Sequence, residues 1–337
     1  MATIVKRGDK WQAKIRRDGY PQKSKTFIKY SDAEAWARTQ ESEMDRGVWR
    51  DRTSAEQTTF YKLLERYKKD VSTTKRGYVT ESFHIGTMME DEISKLKLSA
   101  LTPVILADWR DRRLEVCAGS TVNRELNTIS AIINWARKEL MIQMENPVGL
   151  IRRPDKGQAR DRRFEDDEEH RLLTALEDHP KSGEKKYRTG TRNPWIKPLV
   201  LMAIETAMRR GELLALHWKN IDFKKHTAFL QITKNGESRT VPLSSRAIAI
   251  LDGLPRSING IVFPVSPDAI KKAWERACEG AGIENFHFHD LRHEATSRLA
   301  EKLPNLIELA AVTGHKDLQM LKRYYHPRAE DLAKKLG

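Results

Sequence analysis

The spacing of apolar residues changes along this chain, and the change rules out both one continuous sheet and one continuous bundle. Between residues 4 and 28 the apolar residues come in short β-like runs. Ile4-Val5, residues 11–15 and residues 25–28 read as strands, with Gly8-Asp9 and Asp18-Gly19 as hairpin turns because Gly and Asp tolerate positive φ. Ser31 ahead of Asp32-Ala33-Glu34 is a capping-box pattern that predicts a helix through Trp36 and Met44, ended by Gly47. Three strands on one helix make a minimal domain over residues 1–52.

From residue 55 to 150 the spacing turns helical. Helices are expected over residues 59–70, 78–91, 103–114 and 121–140, forming a four-helix bundle. Thr102-Pro103 is a start signal, with an N-cap hydroxyl ahead of Pro at the first helical position. Leu126, Ile129, Ile132-Ile133 and Ala136 recur at helical spacing and predict a core face. The stretch from Arg152 to Arg160 is nearly free of apolar residues and holds Pro154 and Gly157, as a linker does.

Beyond residue 163 the pattern is again helical, with one hairpin. Residues 228–233 and 238–243 flank Lys234-Asn235-Gly236-Glu237, and Asn-Gly between two alternating runs is a strong turn signal. Helices are expected near Ser245 and over residues 267–279, 291–302, 306–312 and 318–325. The expected architecture is multidomain and mainly α. It comprises a sheet-plus-helix domain (1–52), a helical bundle (55–153), a linker (154–163) and a mixed α+β domain with a β-hairpin (164–337).

Charge narrows the partner. The net charge is +14, and residues 1–52, 53–160 and 161–337 hold 13, 18 and 30 basic against 8, 14 and 25 acidic residues. The excess is spread over the whole length, which suits a polyanion touching every domain; double-stranded DNA comes first. Lys14, Arg16, Lys23 and Lys25 give the strand region a basic face that could enter a groove, and Arg152 and Arg153 could track a phosphate backbone. A merely solvated charged face is the alternative. No run approaches the roughly 18 apolar residues of a membrane helix, and no signal peptide is visible. Cys117 and Cys278 are far apart and read as small packing residues, not as a disulfide or metal site, so a reducing cytoplasm is expected.

The last half of the chain carries an ordered set of polar residues inside apolar segments. They are Arg209-Arg210-Gly211-Glu212, Lys234, His289-Asp290-Leu291-Arg292-His293, Thr313-Gly314-His315 and Lys322-Arg323-Tyr324-Tyr325. Taken singly, each has a bland reading: a helix-end Arg, a solvated turn Lys, a half-buried packing Tyr. His289 and His293 are four apart, as zinc ligands on a helix are, but no third ligand motif accompanies them, and His293 reads as structural.

In combination these residues resemble the tyrosine recombinase, or phage integrase, family over about half the chain. The family signature is Arg-x-x-Glu/Asp, a hairpin Lys, His-x-x-Arg, Gly-His, and a Tyr nine residues after that His. Arg209 with Glu212, Lys234, His289 with Arg292, His315 and Tyr324 match it in order. The helical middle and the N-terminal unit resemble the core-binding and arm-binding domains of larger members. Ala207 stands where many members have Gly, and Thr313 where Leu is common; both read as packing positions that shade geometry rather than chemistry.

The residue types fit the implied reaction. Guanidinium groups bind non-bridging phosphate oxygens in a fork, the role expected of Arg209 and Arg292. A phenol with an ordinary pKa of ~10 needs a proton acceptor, assigned to His289, to attack phosphorus at neutral pH. Lys234 would protonate the 5′-oxygen that leaves, His315 would bond to the phosphate, and Glu212 would orient its neighbours. Adjacent helical residues point ~100° apart, so Tyr324 or Tyr325 can face the phosphate but not both, and the spacing from His315 selects Tyr324. The resemblance implies site-specific recombination (integration or excision) through a 3′-phosphotyrosine without metal or cofactor. It also implies a homotetramer on DNA, accessory bending or directionality proteins, and a bacterial, mobile-element setting. The tail from residue 328 to 337 is expected to dock on a neighbouring protomer. Alternatives are an invertase or resolvase with the same chemistry, a topoisomerase-like enzyme, and a non-cutting regulator. Residues 287–296 resemble recombinases that invert DNA cassettes.

Overall fold

A computed structural model describes residues 2–155, 157–158, 160–177, 193–231 and 238–325. The chain divides into two units, Met1–Gln158 and Ala159–Gly337.

In the first unit, strands β1 (Thr3–Arg7), β2 (Lys10–Ile15) and β3 (Lys23–Phe27) form an antiparallel meander under helix α1 (Tyr30–Asp45). Alternation decides what each strand buries. Ala13 and Ile15 are buried with Ala33, Ala37 and Met44 of α1, and Trp11, Phe27 and Trp36 close the margins. The helix starts at Tyr30 with Lys29 as N-cap and no side-chain cap, so Ser31 falls inside the first turn instead of capping it. Tyr30 packs edge-on against Trp11 at 5.0 Å, and the helix begins two residues earlier than the capping-box pattern predicted. Gly47 ends the helix at φ 67°, its amide and that of Val48 closing on Met44 and Glu43 carbonyls at 3.0 Å.

Helices α2 (Thr53–Gln57), α3 (Phe60–Asp70), α4 (Tyr78–Glu90), α5 (Pro103–Val116) and α6 (Gly119–Glu139) complete this unit. Thr59 and Thr102 cap α3 and α5, each hydroxyl accepting a backbone amide at 3.4 Å. Leu63, Leu64, Trp109, Leu126, Ile129 and Ile133 form a second core, separate from that under α1. The start of the expected linker is held down here: the Pro154 carbonyl accepts from Asn123 (2.8 Å) and the Arg152 carbonyl from Arg110 (2.8 Å).

The second unit contains α7 (Glu168–Ala175), α8 (Ile196–Thr206), α9 (Arg210–Leu214) and strands β4 (Ile221–Asp222), β5 (Thr227–Leu230) and β6 (Arg239–Pro242). It continues through α10 (Ser245–Asp252), α11 (Pro267–Gly280), α12 (Asp290–Lys302) and α13 (Leu306–Thr313). The strands run antiparallel in the order β4-β5-β6, with Leu230 opposite Arg239. The Asn235-Gly236 turn, Lys234 and the tail lie outside the described residues. One core joins α8, the sheet, α11 and the start of α12 through Leu199, Met202, Val241, Trp274 and Leu291. The expected helix over 318–325 is instead two 3-10 turns, Leu318–Met320 and Lys322–Tyr324. Leu321, fully buried with Ala300 and Leu309, anchors the chain between them.

Candidate active site

The C-terminal end of α13 organises this site. The last carbonyls of a helix have no intrahelical partner and carry the negative end of its dipole. Here three successive carbonyls each receive a different guanidinium. Arg239 donates to Val312 (2.5 Å), Arg292 to Thr313 (2.8 Å) and Arg209 to Gly314 (3.4 Å). Gly314 turns the chain at φ 70°, and a Cβ on it would lie 2.5 Å from the Arg239 Nη1. The glycine of the Gly-His pair is therefore required twice, by backbone conformation and by close approach.

Each arginine comes from a differently specified element. Arg209 is the N-cap of α9, and the Glu212 carboxylate accepts both its backbone amide (3.0 Å) and its Nη1 (2.7 Å). Arg292 lies two residues into α12 and is buried; besides Thr313 it donates to the Ala207 carbonyl and faces His315 Nε2 at 3.2 Å. Ala207 exposes that carbonyl because it ends α8 in the left-handed region, φ 52°, where a side chain is disfavoured and glycine is not. Arg239, on β6, shares Glu212 with Arg209 through a 2.8 Å contact. Among the described residues of this cluster, three guanidiniums meet one carboxylate, an excess of two positive charges.

Burial pushes the Glu212 carboxyl up, but Arg239 and Arg209 outweigh it and hold it below the usual carboxylate range. Burial, then the Arg209 cation, pushes Arg292 down to about 9, which still leaves it charged at neutral pH. His315 is pushed down to about 3 by burial and by Arg292, Arg209 and Arg239, so its ring is neutral. The site is cationic through guanidiniums alone, a setting that suits a phosphodiester.

Tyr324, on the second 3-10 turn, packs against the small cluster of Ala300, Leu309 and Leu321. Its hydroxyl meets Nδ1 of His293, with the rings 29° from parallel. Burial raises the phenol pKa against the pull of Arg323 and Arg292, so Tyr324 is a protonated phenol. Burial and Arg323 push His293 down to about 4, so it is a neutral imidazole. His289 is exposed at the head of α12, its ring edge-on to that of His293 at 5.6 Å between centroids.

The sequence-selected residues Arg209, Glu212, Arg292 and His315 thus gather at the end of α13, Tyr324 meets His293, the residue after Arg292, and Lys234 lies outside the described residues. Three contributors were not singled out. His293, read as structural, holds the Tyr324 hydroxyl. Arg239 shares Glu212. Thr313, read as a packing position, puts its hydroxyl 2.7 Å from His315 Nδ1. The available signal for His293 was its place one residue after Arg292, which turns it ~100° around α12 toward a different neighbour. Asp290 anchors the same motif: buried, it takes the His287 amide (2.7 Å) and the Arg160 guanidinium (2.8 Å).

The candidate DNA-contact residues divide. Lys14 faces away from α1, level with Thr3 and Ser24 in the strand register, and Arg16 is exposed with Gln22 on its Nε at 2.9 Å. Lys23 and Lys25 pair with Ile15 and Ala13 on the helix-facing side, and their ammonium groups bind Asp51 and Glu56. Arg152 and Arg153 are exposed.

Comparison with known proteins gives a consistent answer. Residues 162–331 match the model of the phage integrase family. The chain is 38% identical to a shufflon-specific DNA recombinase of Escherichia coli over 82% of this chain and 71% of that one. It is 35% identical to a putative integrase/recombinase of Haemophilus influenzae over 99% of this chain and 88% of that one. The fold is similar to a lambda integrase solved as a tetramer bound to a Holliday junction, with a TM-score of 0.62, 18% identity, and 93% and 95% of the two chains covered. The chain belongs to the phage integrase family, the tyrosine recombinases, and its activity is site-specific DNA recombination.

Proposed function

We propose that Tyr324 is the nucleophile of this recombinase, that Arg209 and Arg292 hold the phosphate it attacks, and that His315 positions Arg292. The observation that carries this is the meeting of three guanidiniums at the end of α13, with a half-buried phenol whose pKa Arg292 pulls on and whose hydroxyl meets His293, the residue after Arg292. In this reading the phenol oxygen bonds to phosphorus, the 5′-oxygen departs with a proton from Lys234, and a 3′-phosphotyrosine conserves the bond energy for rejoining. Glu212 positions Arg209. Lys234 and His289 enter on the sequence match. The partner is double-stranded DNA, bound by a homotetramer in the bacterial cytoplasm, with accessory bending or directionality proteins setting the outcome. Integration and excision are the first reading. Inversion is the second, favoured by the resemblance of residues 287–296 to recombinases that invert DNA cassettes.

A nicked suicide substrate tests the chemistry. The wild-type protein is expected to accumulate a covalent DNA adduct, and Tyr324→Phe to lose it while still binding DNA. An adduct lost in Tyr325→Phe and retained in Tyr324→Phe refutes the assignment.

A further inference from the structure

We propose that His293 is a catalytic residue of this reaction and accepts the proton of Tyr324, the role that the sequence pattern gives to His289. The inference rests on Tyr324 being the nucleophile and deepens that reading.

The neighbouring donors assign the roles in the pair. A phenol at neutral pH has one hydrogen to give, and the atom facing it is the Nδ1 of His293. The phenol could also accept, but the Arg323 guanidinium, which can only donate, faces the same Nδ1 at 3.5 Å, so Nδ1 is assigned as the acceptor and the ring proton to Nε2. The two rings lie 29° from parallel with their centroids 6.0 Å apart. Because His293 follows Arg292 directly on α12, one helix turn delivers both the phosphate-binding guanidinium and the base.

The surroundings fit a base that works only with substrate present. Arg323 approaches His293 Nδ1 at 3.5 Å and lies 5.2 Å from the Tyr324 ring, while donating to the Arg160 carbonyl. From its own helix His293 feels His289, Asp290 and Arg292; Tyr324 also feels Arg163 and Asp161. These cations keep the imidazole neutral and its lone pair available. An anionic phosphodiester at Arg292 offsets their charge and raises the basicity of His293 at the moment it is needed. On cleavage the Tyr324 O–H proton moves to Nδ1, the O–P bond forms, and the P–O5′ bond breaks with a proton from Lys234. On rejoining, the incoming 5′-hydroxyl returns its proton to Lys234, and His293 returns its own to the departing phenol.

The test is single-turnover adduct formation on a suicide substrate, with the normal 5′-oxygen and with a bridging sulfur in its place. His293→Gln retains an acceptor for the phenol but cannot take its proton. We expect its rate at pH 7 to fall about 100-fold or more, with DNA affinity unchanged. The residual rate should rise about tenfold per pH unit as hydroxide substitutes for the base. The sulfur leaving group, which needs no acid, should restore Lys234→Ala but not His293→Gln. If His293→Gln reacts within about threefold of wild type while His289→Gln drops 100-fold, the proposal is wrong. Faster cleavage by His293→Gln also overturns it, because the contact would then be a latch. Should His293→Gln fail to fold, His293→Gly with added imidazole replaces it; adduct formation that climbs with imidazole supports the role, and an unresponsive rate refutes it. An adduct retained in Tyr324→Phe would instead bring down the underlying assignment.

Discussion

The hydroxyl of Thr313 lies 2.7 Å from Nδ1 of His315 and donates its own hydrogen to the Leu309 carbonyl, also at 2.7 Å. With that hydrogen committed, the hydroxyl can only accept, so His315 carries its proton on Nδ1 and presents a bare Nε2 to Arg292 at 3.2 Å. A residue that looked like packing therefore decides which ring nitrogen faces the arginine.

Thr313→Val keeps the shape and removes the acceptor, leaving a buried N–H unpaired. The expected cost is about 1–3 kcal/mol of stability by chemical denaturation. Adduct formation should fall by roughly 10- to 100-fold because His315 loses its orientation, and Thr313→Ser should restore both.

Glu212 is the carboxylate that Arg209 and Arg239 share, and its side chain is 4% exposed. Glu212→Ala leaves those cations facing each other and Arg292 without their counter-charge. We expect a loss of about 3–5 kcal/mol, the scale for breaking a buried pair from one side, seen as a lower denaturation midpoint.

Acid should destabilise the second unit in two stages. His293 and His315 have folded-state pKa values of about 4 and about 3, below their ordinary 6.5, so below pH 6.5 the unfolded chain binds more protons. Their contribution is complete above pH 6.5 and declines at about 1.4 kcal/mol per pH unit for each ring, less where solvent screens it, as the pH falls toward the folded values. Glu212 and Glu294, both held below their ordinary 4.5, add a second loss as the pH falls from about that value through their folded pKa. Denaturation midpoints measured across pH 4–7 should show a slope that flattens in His293→Gln.

Strand register separates the basic residues of the N-terminal sheet by task. Lys14→Ala should weaken DNA binding at all sequences and reduce the log–log salt slope by about one. Lys25→Ala, which loses the exposed pair with Glu56 and a contact over the Phe27 ring, should leave the slope unchanged; equal effects at both positions would mean that the sheet does not use its open face.

Much of this molecule was readable along the chain, because local rules govern it. Thr59 and Thr102 cap helices where a hydroxyl precedes a helical run, and Leu126, Ile129 and Ile133 are buried where their spacing put them on one face. The order of Arg209, His289, Arg292, His315 and Tyr324 carried the family, since motif order survives without coordinates. What tertiary structure alone decided is which groups touch. Arg239 is 27 residues from Glu212 and 73 from Val312, and no local period links them. His289 and His293 lie on one helix face and look equivalent in sequence, yet the packing of Leu321 with Ala300 and Leu309 sets the turn that brings Tyr324 onto His293. Periodicity says which face a side chain is on, whereas its hydrogen-bond partner depends on where a distant segment comes to rest.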